Sequence, residues 1–224
     1  MQRKELMQLT RLSVIAMIFF LVSAAPAVEQ KPGRANETLL AATSPFEDMV
    51  EFALAGNDAG VRRALAAADR QAAAVRAVLP AASAGRFDEL LQAVHKAASG
   101  REHQVLAVSA VEVFRFLLDR LHPGTLKVPK EVSLLDYAGF RLKVLASAAR
   151  PDWDAMRTTA EAASAWWSAV ESSVTDKALR DAFSSTVAGL REAAKKENLP
   201  MLSLAVQIDL DLVDLLENHF ERKQ

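Results

Sequence analysis

The chain has 224 residues, 27 basic and 28 acidic side chains, 51% hydrophobic residues and no cysteine. That length suits one domain or two small ones, and the apolar content is too high for a disordered chain. A formal net charge of −1 gives no clustered basic surface, so nucleic acid is not an expected partner. Without cysteine there can be no disulfide framework, thiolate metal site or c-type haem attachment.

Arg3, Lys4 and Arg11 make the N-terminus basic, and the apolar run Leu12 to Val22 follows, then Ser23-Ala24-Ala25-Pro26-Ala27. A basic region, a short apolar helix and an A-x-A site in that order read as a signal peptide, residues 1–27, cleaved after Ala27. The apolar run is about half of the roughly 20 residues that span a bilayer. The expected product is periplasmic or secreted, with no stable membrane insertion after cleavage. An uncleaved anchor is the competing reading.

Residues 28–43, with Lys31-Pro32-Gly33, read as a flexible tether, and 44–224 as a helical domain. Ser44-Pro45-Phe46-Glu47 spells a capping box with Pro at the first helical position, predicting a helix from Ser44 to near Gly56-Asn57. Asp58 can cap a second helix to Leu79, where Val61, Ala64, Leu65, Ala68, Ala72, Val75 and Leu79 form one stripe and Pro80 ends it. A third runs from about Arg86 to Ala98. A fourth, from about Arg101 to Leu121, closes at His122-Pro123-Gly124, and a loop continues through Pro129. The fifth occupies about Lys130 to Ala149. Asp152 caps a sixth through Ser172, and Thr175 or Asp176 a seventh through Lys196. Asn198 or Leu199 with Pro200 opens the eighth, which ends near Phe220. No segment has the alternation of a strand, so the expected fold is all-α, an antiparallel bundle of seven to eight helices with short loops. Helices one to four and five to eight share an order of elements, with Lys96-Ala97-Ala98 against Ala193-Ala194-Lys195. Two packed four-helix halves, 44–122 and 130–220, are one arrangement this permits.

Nucleotide-binding, hydrolase-elbow and zincin motifs are absent, as is the E-x-x-H of di-iron bundles. His95, His103, His122 and His219 fall on separate elements, without zinc spacing. No catalytic template is present, and a non-enzymatic protein is expected.

The site reading rests on charge in apolar places. Winding the eighth helix puts Leu204, Ile208, Leu212 and Leu215 on one side of an apolar face and Leu202, Val206, Val213 and Phe220 on the other, with Asp209 between them. A carboxylate pointing into a core must be paired, hydrogen-bonded, protonated or bound to a cation. On the fifth helix, Arg141 lies at the edge of the buried face beside Tyr137 and could form a bidentate pair with Asp209. On the fourth, Glu112 lies one turn from Arg115 and is flanked by Val105, Val108 and Phe116, which would make it interior if that helix buries two faces.

Either Arg141, Asp209, Glu112 and Arg115 form a structural network that fixes helix register, or Asp209 and Glu112 line a cavity for a small polar ligand or a divalent or iron-type metal ion. Partial exposure of Asp209 is a third outcome. Trp153, Trp166 and Trp167 on the sixth helix read as core, with a stacking platform as the alternative. Asp211, Asp214 and Glu217 read as a solvated face.

The helical arrangement is loosely similar to imelysin-like exported proteins, which resemble paired helical bundles and carry an H-x-x-E metal motif. Here His219-Phe220-Glu221-Arg222 misses that spacing by one position, so none of that family's residues is carried over. Two functional expectations follow. One is an exported, non-enzymatic binding protein with an interior carboxylate site for a metal ion or small polar ligand. The other is a periplasmic chaperone or accessory interaction protein, whose interior charges are structural and whose partner is a protein held on a contiguous exposed apolar patch.

Overall fold

The computed structural model describes residues 32–222, so the signal peptide expected at 1–27 lies outside the described residues. All eight predicted helices are present: α2 (Ser44–Leu54), α3 (Asp58–Val78), α4 (Ala81–Gly100), α5 (His103–Leu118), α6 (Lys130–Ala146), α7 (Trp153–Val170), α8 (Lys177–Lys195) and α9 (Leu199–Arg222). A further helix, α1 (Pro32–Ala41), precedes them. Among the described residues there is no strand.

Side-chain caps explain several of the helix starts. Asn57, rather than Asp58, accepts from the Gly60 amide at 2.9 Å and opens α3. Asp152 does the same for the Ala155 amide at α7, and Asp176 for the Ala178 and Leu179 amides at α8. The capping box expected at Ser44 does not form. Thr43 keeps helical backbone angles, and its hydroxyl donates back to the Leu40 carbonyl at 2.8 Å, because α1 runs almost directly into α2.

That continuity corrects the expected tether, which is helical from Pro32 onward. Leu39 is buried in the core, and Asn36 is clamped to the loop after α5. The Asn36 amide donates to the His122 carbonyl and the Thr125 hydroxyl, each at 2.8 Å, and its oxygen accepts from the His122 amide at 2.8 Å.

Two four-helix sets result. In the first, α2 packs on α3 and α5, and α4 on α3 and α5; in the second, α6 packs on α7 and α9, and α8 on α7 and α9. Their buried positions run in parallel. Val61, Ala64, Ala68, Ala72 and Val75 of α3 match Met156, Thr159, Ala163, Trp167 and Val170 of α7. Phe87, Leu91, Val94 and Ala97 of α4 match Phe183, Val187, Leu190 and Ala193 of α8. The turns match too, since Arg101 and Glu197, the left-handed residues that follow these helices, both have φ of 53°. Leu106, Ala110, Val113 and Leu117 of α5 match Leu202, Val206, Asp209 and Val213 of α9.

The helix joining the sets is α6. Its residues Leu134, Tyr137, Phe140 and Val144 complete the core of the first set, while Val132, Leu135, Ala138 and Leu142 belong to the second. Helix α6 therefore buries apolar residues towards both sets, with its charged residues only partly covered. Phe114 of α5 meets Tyr137 and Phe140 edge to face, at centroid distances of 6.2 and 6.1 Å, and so locks α6 to the first set.

Candidate functional site: an acidic cleft between α2, α6 and α9

Four of the five residues singled out in the sequence do meet, on the side of α6 that faces α5 and α7. The Arg141 guanidinium donates to Glu112 at 3.1 Å, to the Tyr137 hydroxyl at 2.9 Å and to the Thr159 hydroxyl at 3.2 Å. Arg115 lies over the Tyr137 ring at 5.2 Å and the Trp166 ring at 5.4 Å, and pairs with Asp119 at 3.0 Å. Burial raises the Tyr137 hydroxyl above its usual range, with Arg141 opposing, so it stays protonated. The cluster is only partly covered. Glu112 is exposed rather than interior, because it shares its stripe of α5 with Val105 and Val108, which are 50% and 45% exposed.

Asp209 is not part of this cluster, so the expected Arg141–Asp209 pair does not form and Asp209 cannot share a metal ion with Glu112. The reason is rotational. At about 100° per residue, Tyr137 and Arg141 share a face of α6, whereas Gly139 points the other way, towards α9. A Cβ on Gly139 would fall 2.9 Å from Asp209 Oδ2 and 2.6 Å from Leu210 Cδ2, so the glycine makes room for the acid.

Asp209 is fully buried, and neither carboxylate oxygen has a hydrogen-bond partner among the described residues. Burial pushes its pKa up to about 8, so the group holds a proton at neutral pH. It also falls at a break in the second core. Leu202, Ala205 and Val206 of α9 belong to one apolar cluster, and Val213, Leu216 and Phe220 to another.

The chemistry that the sequence did not reveal lies on the neighbouring face of α9. Glu47 and Glu51 from α2, Asp136 from α6, and Asp211, Asp214 and Glu217 from α9 line one cleft of about 260 Å³. Phe140, Gln207 and Leu210 supply the rest of its wall. Lys143 pairs with Glu51, and Gln207 donates to Asp211 at 3.0 Å. Among the described residues, Glu47, Asp136, Asp214 and Glu217 have no ion-pair partner. Burial, reinforced by like charges, raises Glu47 and raises Asp136 well above the carboxylate range. Burial also takes Glu217 up to about 7, with Glu47, Asp214 and Glu221 adding to it.

Asp211 and Asp214 are exposed, as expected of a solvated face, while Glu217 is half-buried; the three also form one wall of a cleft that α2 and α6 complete. The available signal was Asp136, an acid set between the buried Leu135 and Tyr137 of α6. Among the described residues, no group of three or more His, Asp or Glu is placed to hold a metal ion. The carboxylates are instead spread along the cleft, an arrangement suited to several ammonium or guanidinium donors rather than to one coordinated ion.

The other sequence candidates lie elsewhere. His95 pairs with Asp69 and His103 with Asp58, each at 2.8 Å. Trp167 stacks on Phe183 at 4.6 Å and donates to the Ser184 hydroxyl at 2.9 Å, a core role. Among the described residues, no helix is long and apolar enough to cross a membrane. No family profile matches the chain, and neither a curated protein nor a solved structure matches it.

Proposed function

We propose that the protein is an exported, non-enzymatic binding protein whose cleft between α2, α6 and α9 holds an organic cation bearing two or more amine groups. One observation carries this reading: six carboxylates line a single cleft, and among the described residues Lys143 is the one cation paired with any of them. Burial first, and the neighbouring acids second, raise Glu47, Asp136 and Glu217, so the cleft by itself disfavours their ionised forms. An ammonium group placed among them would favour the ionised forms, so binding releases protons. Export is supported by the N-terminal order of basic, apolar and small residues.

Calorimetric titration with spermidine at low salt tests the site. Binding is expected to strengthen from pH 6 to pH 8, through the range where Glu217 ionises, with proton release detected as a dependence on buffer ionisation enthalpy. Absence of binding at millimolar spermidine at pH 8 would defeat the reading. Calcium or manganese binding more tightly than the amine would restore the metal ion as the ligand. For export, the expected finding is a periplasmic chain with Val28 at its N-terminus.

A further inference from the structure

Helix α9 has a third face. Met201, Leu204, Ile208 and Leu215 are 38%, 64%, 41% and 54% exposed. They recur at i, i+3, i+7 and i+14, a single stripe roughly 20 Å long at 1.5 Å per residue. The core is served by a different stripe of the helix, including Leu202, Val206, Val213 and Leu216. The sequence reading put Leu204, Ile208 and Leu215 in the buried face; they are surplus to the fold. Large aliphatic side chains aligned on an exposed helix mark a binding surface more often than scattered apolar residues do.

The stripe borders the acidic cleft. Asp211 stands in the gap between Ile208 and Leu215, and Asp214 beside it, so one surface offers an apolar ridge and a row of carboxylates side by side. An anionic membrane or nucleic acid would be repelled by those charges. A second copy laid along the same stripe would bring its own Asp211 and Asp214 towards these, again like against like.

Resting on the reading of the cleft as a cation site, we infer that the cation is carried by a basic amphipathic helix of a partner protein. Its apolar side packs along Met201, Leu204, Ile208 and Leu215, while Lys or Arg side chains one turn apart reach Asp211, Asp214 and Glu217. This is helix-on-helix recognition by i, i+3, i+7 anchors, with charge setting the register.

The probe is a labelled helical peptide of about 18 residues, Leu on one face and Lys on the other, read by fluorescence anisotropy against the full chain. A peptide of the same composition in scrambled order, and one with Glu for Lys, are controls. Binding should be salt-dependent and weaken about ten-fold or more for the scrambled order. Leu204→Ser with Ile208→Ser should cause a similar loss while leaving spermidine binding unchanged. Asp211→Asn with Asp214→Asn should weaken both ligands.

Peptide binding indifferent to the serine substitutions overturns the inference. So does sedimentation showing a dimer that those substitutions dissociate, or adsorption to phosphatidylglycerol vesicles that they abolish. If spermidine binds and the peptide does not, this inference alone falls; if neither binds, the cation reading falls with it.

Discussion

The two four-helix sets use the same register to different ends. In the first, α2 and α5 bury Val50 and Val113. At the corresponding level of the second, α6 and α9 present Gly139 and Asp209. One set keeps a continuous apolar core. The other gives up a valine's volume for a carboxyl group and its core divides there. Helix order, caps and stripe positions thus define a scaffold that tolerates two quite different central layers, and the difference must appear in stability.

The largest effect should come from forcing the second set's chemistry on the first. Val113→Asp puts an acid at a fully buried position of an apolar core, and should lower unfolding free energy by about 4 kcal/mol or more. The reverse change, Asp209→Val, removes two unpartnered oxygens and should stabilise by about 1–3 kcal/mol. Urea titration of both variants at pH 7 checks this. Equal losses from the two substitutions would mean that the layers are not alternatives of one design.

The second effect depends on pH. Asp209 ionises near pH 8 in the folded chain but near its ordinary 3.8 when unfolded. Between those values the unfolded state has released the proton and the folded state has kept it, so stability falls as pH rises and the loss levels off above about 8. At about 1.36 kcal/mol per unit, the Asp209 contribution from pH 5 to pH 8 is at most about 4 kcal/mol. Asp209→Asn should remove that part of the slope and leave the part owed to Glu217, which has the same sign. Parallel stability–pH curves for the wild type and Asp209→Asn would show that Asp209 is not the titrating group.

How much of this was legible beforehand follows from the range of the interactions. The eight helices, the Asp152 and Asp176 caps and the inward Asp209 follow from neighbours three or four positions apart and can be read along the chain. The Ser44 box and the Asp58 cap were misplaced because α1 runs into α2 and Asn57 takes the cap of α3. The partner of Arg141 could not be, because Gly139 and Arg141 lie only two residues apart yet point in nearly opposite directions, and small rotations decide which helix each meets. The docking of α1 was hidden because Asn36 bonds to residues more than eighty positions away. The acidic cleft was hidden for the same reason, since its walls come from α2, α6 and α9. The apolar stripe of α9 was misassigned because the helix has aliphatic residues on two sides and the sequence does not say which side has a neighbour.

Glycine 139 gives a smaller test of the same comparison. Gly139→Ala places a methyl within 2.6 Å of Leu210 and 2.9 Å of Asp209. It should cost about 1–3 kcal/mol, the usual range for overpacking. A partly reduced, less than additive loss is expected with Asp209→Ala, which removes the Asp209 contact and leaves the one to Leu210. Strict additivity would separate Gly139 from the acid.

The smallest effect is reserved for the pair that the sequence made prominent. Glu112 and Arg141 are joined at 3.1 Å but are 48% and 33% exposed at the side chain, so solvent screens their attraction. Glu112→Gln should change stability by less than about 1 kcal/mol, and a double-mutant cycle with Arg141→Gln should give a coupling of similar size. The Tyr137 and Thr159 bonds keep Arg141 in place without Glu112, so little rearrangement is expected. A loss of more than about 2 kcal/mol from Glu112→Gln would mark the pair as a desolvated one. The functional weight of the junction would then shift from the α2–α6–α9 cleft to the α5–α6–α7 side.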